Sequence, residues 1–165
     1  MSVKHRRQGR ETEAGDVGEI VQTLRRLFRA IHEYSKAIHK KSGLSGPQVW
    51  ALTLLETHPG LSAQELAARM FVHPSTVTGI VSRLVHKGAI TRTVDSKDRR
   101  GVRLTVTRSG RRILKATPPP VQVGLTRALA ALAPRRLRAL RTSLVRIARD
   151  TEADRVKAPF FDLES

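Results

Sequence analysis

The stretch LSAQELAARMFVHPSTVTGIVSRLVHKGAITRTVDSKDRRGVRLTVT, from Leu61 to Thr107, decides how this chain folds. Ser62 and Glu65, three residues apart, form a capping box, and Leu61 and Leu66 the hydrophobic staple around it. A short helix therefore starts there and runs to Met70. Phe71-Val72-His73 makes a turn, and Pro74 opens the next helix at a position that needs no amide hydrogen. From Pro74 to Lys87, Val77, Ile80, Val81 and Leu84 make an inward stripe. Ser75, Thr76, Thr78, Gly79, Ser82 and Arg83 fall on the opposite, small and polar side. Gly88 stops this helix. A hairpin follows, with Ile90 and Val94 expected inward on its first strand, Ala89 to Val94. On its second, Val102, Leu104 and Val106 alternate with Arg103 and Thr105. The loop between them, Asp95 to Gly101, carries Lys97, Arg99 and Arg100.

Helix, tight turn, helix and a basic-tipped hairpin is the layout of a winged helix-turn-helix. Its physics suits duplex DNA, whose major groove admits one helix and presents a readable pattern of donors and acceptors. Ser75, Thr76, Thr78 and Gly79 are small enough for close approach, and the positive end of their helix faces phosphate. Arg83, two turns further, reaches a base edge or the backbone. Arg99 and Arg100 at the wing tip suit a narrow minor groove, and Lys97 and Arg103 suit phosphate. Asp98 is expected to be structural, pairing with an arginine to fix the loop.

The flanks are helical. Ile20, Leu24, Leu27, Ile31, Tyr34 and Ile38 recur at alternating steps of four and three, the seam of a helix packed on another helix. Residues 1–16 read as a flexible basic arm, and residues 17–44 as this seam helix. Ser45 with Gln48 caps a helix reaching Thr57, opening the 45–107 domain. Thr107 can cap another helix, which Pro118-Pro119-Pro120 must end. A leucine-rich helix follows, and Pro134 opens a last one carrying Leu137, Leu140, Leu144 and Ile147. Residues 108–150 are thus a second helical unit, and residues 151–165 a tail. The fold class expected is mainly α with one small hairpin.

Charge narrows the partners. The 165 residues hold 31 Lys and Arg against 14 Asp and Glu, a net charge of +17. Residues 83–115 alone carry 11 Lys or Arg and only Asp95 and Asp98. Such a surface attracts polyanions, with nucleic acid ahead of an anionic membrane. The basic stretch from Arg83 to Lys115 contains no aromatic residue, which argues against a stacking single-strand or RNA binder. A helical protein-interaction module using the winged helix as scaffold is the third reading. With no cysteine, disulfides and thiolate-held metals are excluded. No apolar run is long enough to span a bilayer and no signal peptide is visible, so the cytoplasm, with the nucleoid, is the expected location. His5, His32, His39, His58, His73 and His86 read as surface or packing residues rather than a metal site, and no cofactor is expected. No Gly-x-Ser-x-Gly elbow or P-loop supports an enzyme. Trp50, the one tryptophan, reads as a core anchor in preference to the wall of an effector cavity.

Taken in order, Leu61 to Ala67, Ser75 to Leu84, Lys87 to Arg92, Asp95 to Arg100 and Thr107 to Gly110 resemble the MarR family (multiple-antibiotic-resistance regulators). The resemblance covers about residues 17–150. It implies a homodimeric transcriptional regulator whose terminal helices interlock, and whose two reading helices enter consecutive major grooves of a pseudo-palindromic site. The family's wing arginine falls on Arg100. A small aromatic or anionic effector that relieves repression is also implied. Two features depart from the family pattern: the three-proline run, and the length of the basic arm.

Overall fold

The structure, a computed structural model, describes residues 3–94 and 101–153. In chain order these form α1 (Val3–Ser42), α2 (Gly46–Thr57), α3 (Ala63–Met70), α4 (Pro74–His86), β1 (Ile90–Val94), β2 (Val102–Val106), α5 (Arg108–Ala116), α6 (Val121–Ala130) and α7 (Pro134–Asp150). The helix expected from Asp16 begins earlier, at Val3, so helical backbone runs through most of the stretch expected to be an arm.

Local signals place each start. Ser62 N–H and Oγ both donate to Glu65 Oε2 at 2.8 Å, and Glu65 N–H donates back to Ser62 Oγ at 3.2 Å. These bonds satisfy amides that the first helical turn leaves without partners. Ser45 N–H donates to Gln48 Oε1 at 3.0 Å at the head of α2. The cap of α4 is one that the sequence reading missed: His73, whose Nδ1 accepts from Ser75 N–H.

The core lies where α2, α3, α4 and the base of the hairpin meet. Val49, Leu52, Leu55, Leu66, Val77, Leu84, Ile90 and Leu104 are fully buried there, and Ile38 brings in the C-terminal half of α1. Each such side chain contributes about 1.5–3 kcal/mol by leaving water. β1 and β2 pair antiparallel, with Ile90 opposite Val106 and Val94 opposite Val102. Val94 and Val102, expected inward, are instead 67% and 46% exposed. The hairpin projects beyond the helices, so alternation buries a side chain only at its base. Leu104 N–H donates to the Leu61 carbonyl at 2.9 Å, fastening β2 to the start of α3.

The prolines act as the sequence implies. α5 ends at Ala116, Thr117 is extended (φ −115°, ψ 142°), and α6 starts after Pro120. The residue before a proline is disfavoured in the helical region, which explains the break. Tyr34 of α1 donates its hydroxyl to the Pro118 carbonyl at 3.1 Å and so ties the break to α1. Burial pushes the Tyr34 hydroxyl up to about 12.

Candidate nucleic-acid interface

Burial sorts α4 into two faces. Val77, Ile80, Val81 and Leu84 are buried, while Ser75, Thr78, Gly79, Ser82 and Arg83 are exposed and Thr76 is half-buried at the margin. Ser75 Oγ lies 2.8 Å from His73 Nδ1, so its hydroxyl is oriented by the cap. Thr78 donates to the Pro74 carbonyl at 3.2 Å, leaving its oxygen as an acceptor. A Cβ on Gly79 would meet nothing within 4 Å, so nothing else in the fold requires glycine there.

Of the expected wing residues, Lys97, Asp98, Arg99 and Arg100 lie outside the described residues. Arg103 is described, and it turns back onto the body. Its guanidinium donates to Glu65 Oε2 at 3.1 Å and to the Gly60 carbonyl at 3.2 Å. Arg103 therefore holds the base of the wing against the start of α3, which sets the angle at which the wing leaves the body.

The Glu65 carboxyl is held below its ordinary range, first by Ser62 N–H, then by the Ser62 hydroxyl, with Arg103 and Arg69 adding smaller attraction. A carboxylate whose folded value is depressed contributes stability above its unfolded value, about 4.3, and loses it as pH falls through the folded one. Acid should thus loosen the α3 cap and the base of the wing together. A carbon-detected NMR titration of Glu65 should show the low midpoint, and Glu65→Gln should flatten the acid limb of the stability profile. An ordinary Glu65 midpoint would contradict the arrangement.

Beside Arg83 the structure forms a cleft of about 410 Å³ that sequence reasoning did not foresee. Arg83, His86 and Lys87 from the end of α4 face His39 of α1 and Gln48 of α2, and no acidic side chain lines it. A Cβ on Gly43, which has φ +64°, would sit 3.2 Å from Lys87 Nζ, so the lysine reaches across to the α1–α2 link. The cleft can accept a phosphate oxygen at the edge of the α4 surface. The signal for it was Lys87 immediately after α4, but its partners come from residues about 40 positions away.

Residues 44–102 match the family model described as MarR family. The HTH-type transcriptional repressor Rv2887 of Mycobacterium tuberculosis (strain ATCC 25618 / H37Rv) is 30% identical over 108 residues, covering 66% of this chain and 78% of that protein. The chain belongs to the MarR family. Members of this family are DNA-binding transcriptional regulators rather than enzymes. The HTH-type transcriptional repressor MdtR of Bacillus subtilis (strain 168) is 36% identical over 94 residues, 57% of this chain and 61% of MdtR, so the match leaves over a third of that relative uncovered. Among solved structures, the YusO protein from Bacillus subtilis is similar, with a TM-score of 0.53, 28% identity and coverage of 82% of this chain and 96% of YusO. The mainly helical winged-helix fold agrees with these relatives. Among the described residues, no helix is long and apolar enough to cross a membrane, and no cluster of three or more His, Asp or Glu could hold a metal.

Proposed function

We propose that this MarR-family regulator is a transcriptional repressor that reads a pseudo-palindromic operator as a homodimer and is released by a small molecule. The exposed face of α4 carries the DNA reading. Ser75, Thr76, Thr78 and Arg83 face base edges, and Gly79 lets the helix sit deep in the major groove. Lys97, Arg99 and Arg100 reach phosphate and the minor groove, while Arg103 contributes through the orientation of the wing. Lys87, His39 and His86 add backbone contacts flanking the groove.

The dimer reading rests on apolar surface that one subunit leaves bare. On α1, Val17, Ile20 and Phe28 are 56–61% exposed. On α7, Leu137, Leu140, Leu144 and Ile147 are all exposed, and no residue of that helix is buried. A helix apolar along one face that its own subunit leaves exposed is suited to pack on a second copy of that face. In this reading 45–107 is the DNA-binding domain, with 17–44 and 108–150 holding the pair together at the nucleoid.

Operators selected from a random duplex library test the reading, by competition against random duplex at physiological salt. Specific binding should exceed random by at least about a thousandfold. Equal competition would make this a general basic DNA binder. Arg83→Ala should cost about 1–3 kcal/mol, concentrated at one base position if it reads a guanine. A uniform loss over all sequences reassigns it to phosphate. Gly79→Ala should raise stability by about 0.5–1 kcal/mol, because alanine is the better helix former, yet weaken operator binding. Unchanged affinity would remove Gly79 from the interface.

A further inference from the structure

We infer that the cleft of about 410 Å³ at the end of α4 clasps one backbone phosphate of the operator, and that His39 and His86 become charged as it does so, which makes DNA binding take up protons. This rests on the regulator reading and adds to it a regulation by pH. The place follows from length. The 13 residues of α4 span about 20 Å, and the major groove is about 12 Å wide. With Ser75 and Thr78 on base edges, the last turn of α4 lies at the backbone. Ser82, Arg83 and His86 line the cleft from that turn.

Two observations make the cleft a phosphate site. The first is its charge. The charged or titratable side chains that line it are His39 of α1, Arg83 and His86 of α4, and Lys87, which follows α4. α2 brings none, and no carboxylate is among them. The second is Gln48, which is 6% exposed and lines the cleft from α2. Its Oε1 accepts Ser45 N–H at 3.0 Å, so the two donors of its Nε2 remain for an acceptor in the cleft. Ser45 and Gln48 also stand at the head of α2, whose positive end favours an anion there. A phosphate oxygen meets all of these at once.

The histidines turn the contact into a pH response. Imidazole changes charge between pH 5 and 8. A neutral ring offers one N–H, whereas the charged ring offers two and a full positive charge. Beside a phosphate the charged ring is favoured. Operator binding therefore draws protons onto His39 and His86. By linkage, affinity is highest in acid and falls as pH rises through the imidazole range. Lysine and arginine stay charged across that range, so Arg83 and Lys87 hold the phosphate at either end of it.

Operator affinity of the full-length protein, measured at constant ionic strength, should fall about tenfold for each cleft between pH 6 and pH 8, the worth of one charge-assisted hydrogen bond. Calorimetry at pH 7 in two buffers of different ionisation enthalpy should record proton uptake when operator is added. His39 and His86 are both exposed, so the double variant His39→Gln, His86→Gln should fold. It should lose the uptake and level the profile at the weaker, alkaline affinity. A methylphosphonate, which removes one backbone charge, should do the same to the wild-type protein at one position of each half-site. A wild-type affinity that ignores pH overturns the inference. So does a double variant that keeps the wild-type profile, which would move the protons to a group such as His73. Inorganic phosphate at the same ionic strength should leave the ring resonances of His39 and His86 in place; if it moves them as fully as operator does, the cleft belongs to free phosphate and the inference falls. Failure of the regulator reading looks different: random duplex and selected operator bind alike, and both take up protons.

Discussion

Leu144→Glu is expected to abolish the homodimer proposed above and, with it, tight operator binding. Leu144 is 44% exposed in the single subunit, and it sits with Leu137, Leu140 and Ile147 along one face of α7. Arg135, Arg138, Arg146 and Arg149 fall on the opposite face at helical spacing. In a two-fold dimer each substitution appears twice in one interface. A carboxylate buried without a partner costs several kcal/mol, so two of them at about 2–3 kcal/mol each weaken the dimer by roughly three to four orders of magnitude. Leu144→Met, which conserves volume, should cost less than about 1.5 kcal/mol. Sedimentation should report the glutamate variant as a monomer and the methionine variant as a dimer. Thermal unfolding of the 45–107 core should barely change, because Leu144 is no part of that core. A glutamate variant that sediments as the wild type would place the interface elsewhere.

What was legible in the sequence was local. Ser62 with Glu65, Pro74 at the head of α4, Thr107 and the proline run all act within a few residues of themselves, through caps, missing amides and forbidden backbone angles. Each is found in the structure where it was expected. What escaped depended on distance in the chain. Arg103 reads as one more exposed cation until Glu65 and Gly60, about 40 residues earlier, come within 3.2 Å of its guanidinium. Val94 follows the alternation of its strand faithfully, yet is exposed, because pattern alone does not say where the helical body ends. His73 lacks the small hydroxyl or carboxylate of the usual cap, so its role beneath Ser75 was invisible. The site showed the same division. The small polar face of α4 could be read from its period, whereas the cleft joining Lys87 to His39 could not.

Among the described helical glycines, Gly110→Ala should be the most damaging change to alanine, and the reason is contact rather than backbone angle. Gly110 lies in the first turn of α5 and is buried. A Cβ there would run into the Ala89 carbonyl oxygen and lie 2.8 Å from Val106 Cγ1. The Ala89 carbonyl cannot move aside alone. It accepts Thr107 N–H at 3.0 Å, while the Thr107 hydroxyl lies 2.7 Å from the Gly88 carbonyl and 3.1 Å from that of Ala89 and accepts Gly110 N–H at 3.1 Å. Relief requires α5 to lift from the base of the hairpin, breaking the bonds that join β1 to the cap of α5. Overpacking against backbone costs about 1–3 kcal/mol or more, which exceeds the gain of up to about 1 kcal/mol from better helix propensity. Urea unfolding should show this loss as a lower midpoint at unchanged slope. The same substitution at Gly124 of α6, where a Cβ meets nothing within 4 Å, should stabilise instead. Two glycines in helices, opposite in sign, separate close approach from propensity. If Gly110→Ala were neutral, Thr107 to Gly110 would owe its spacing to something other than the packing of α5 on the wing.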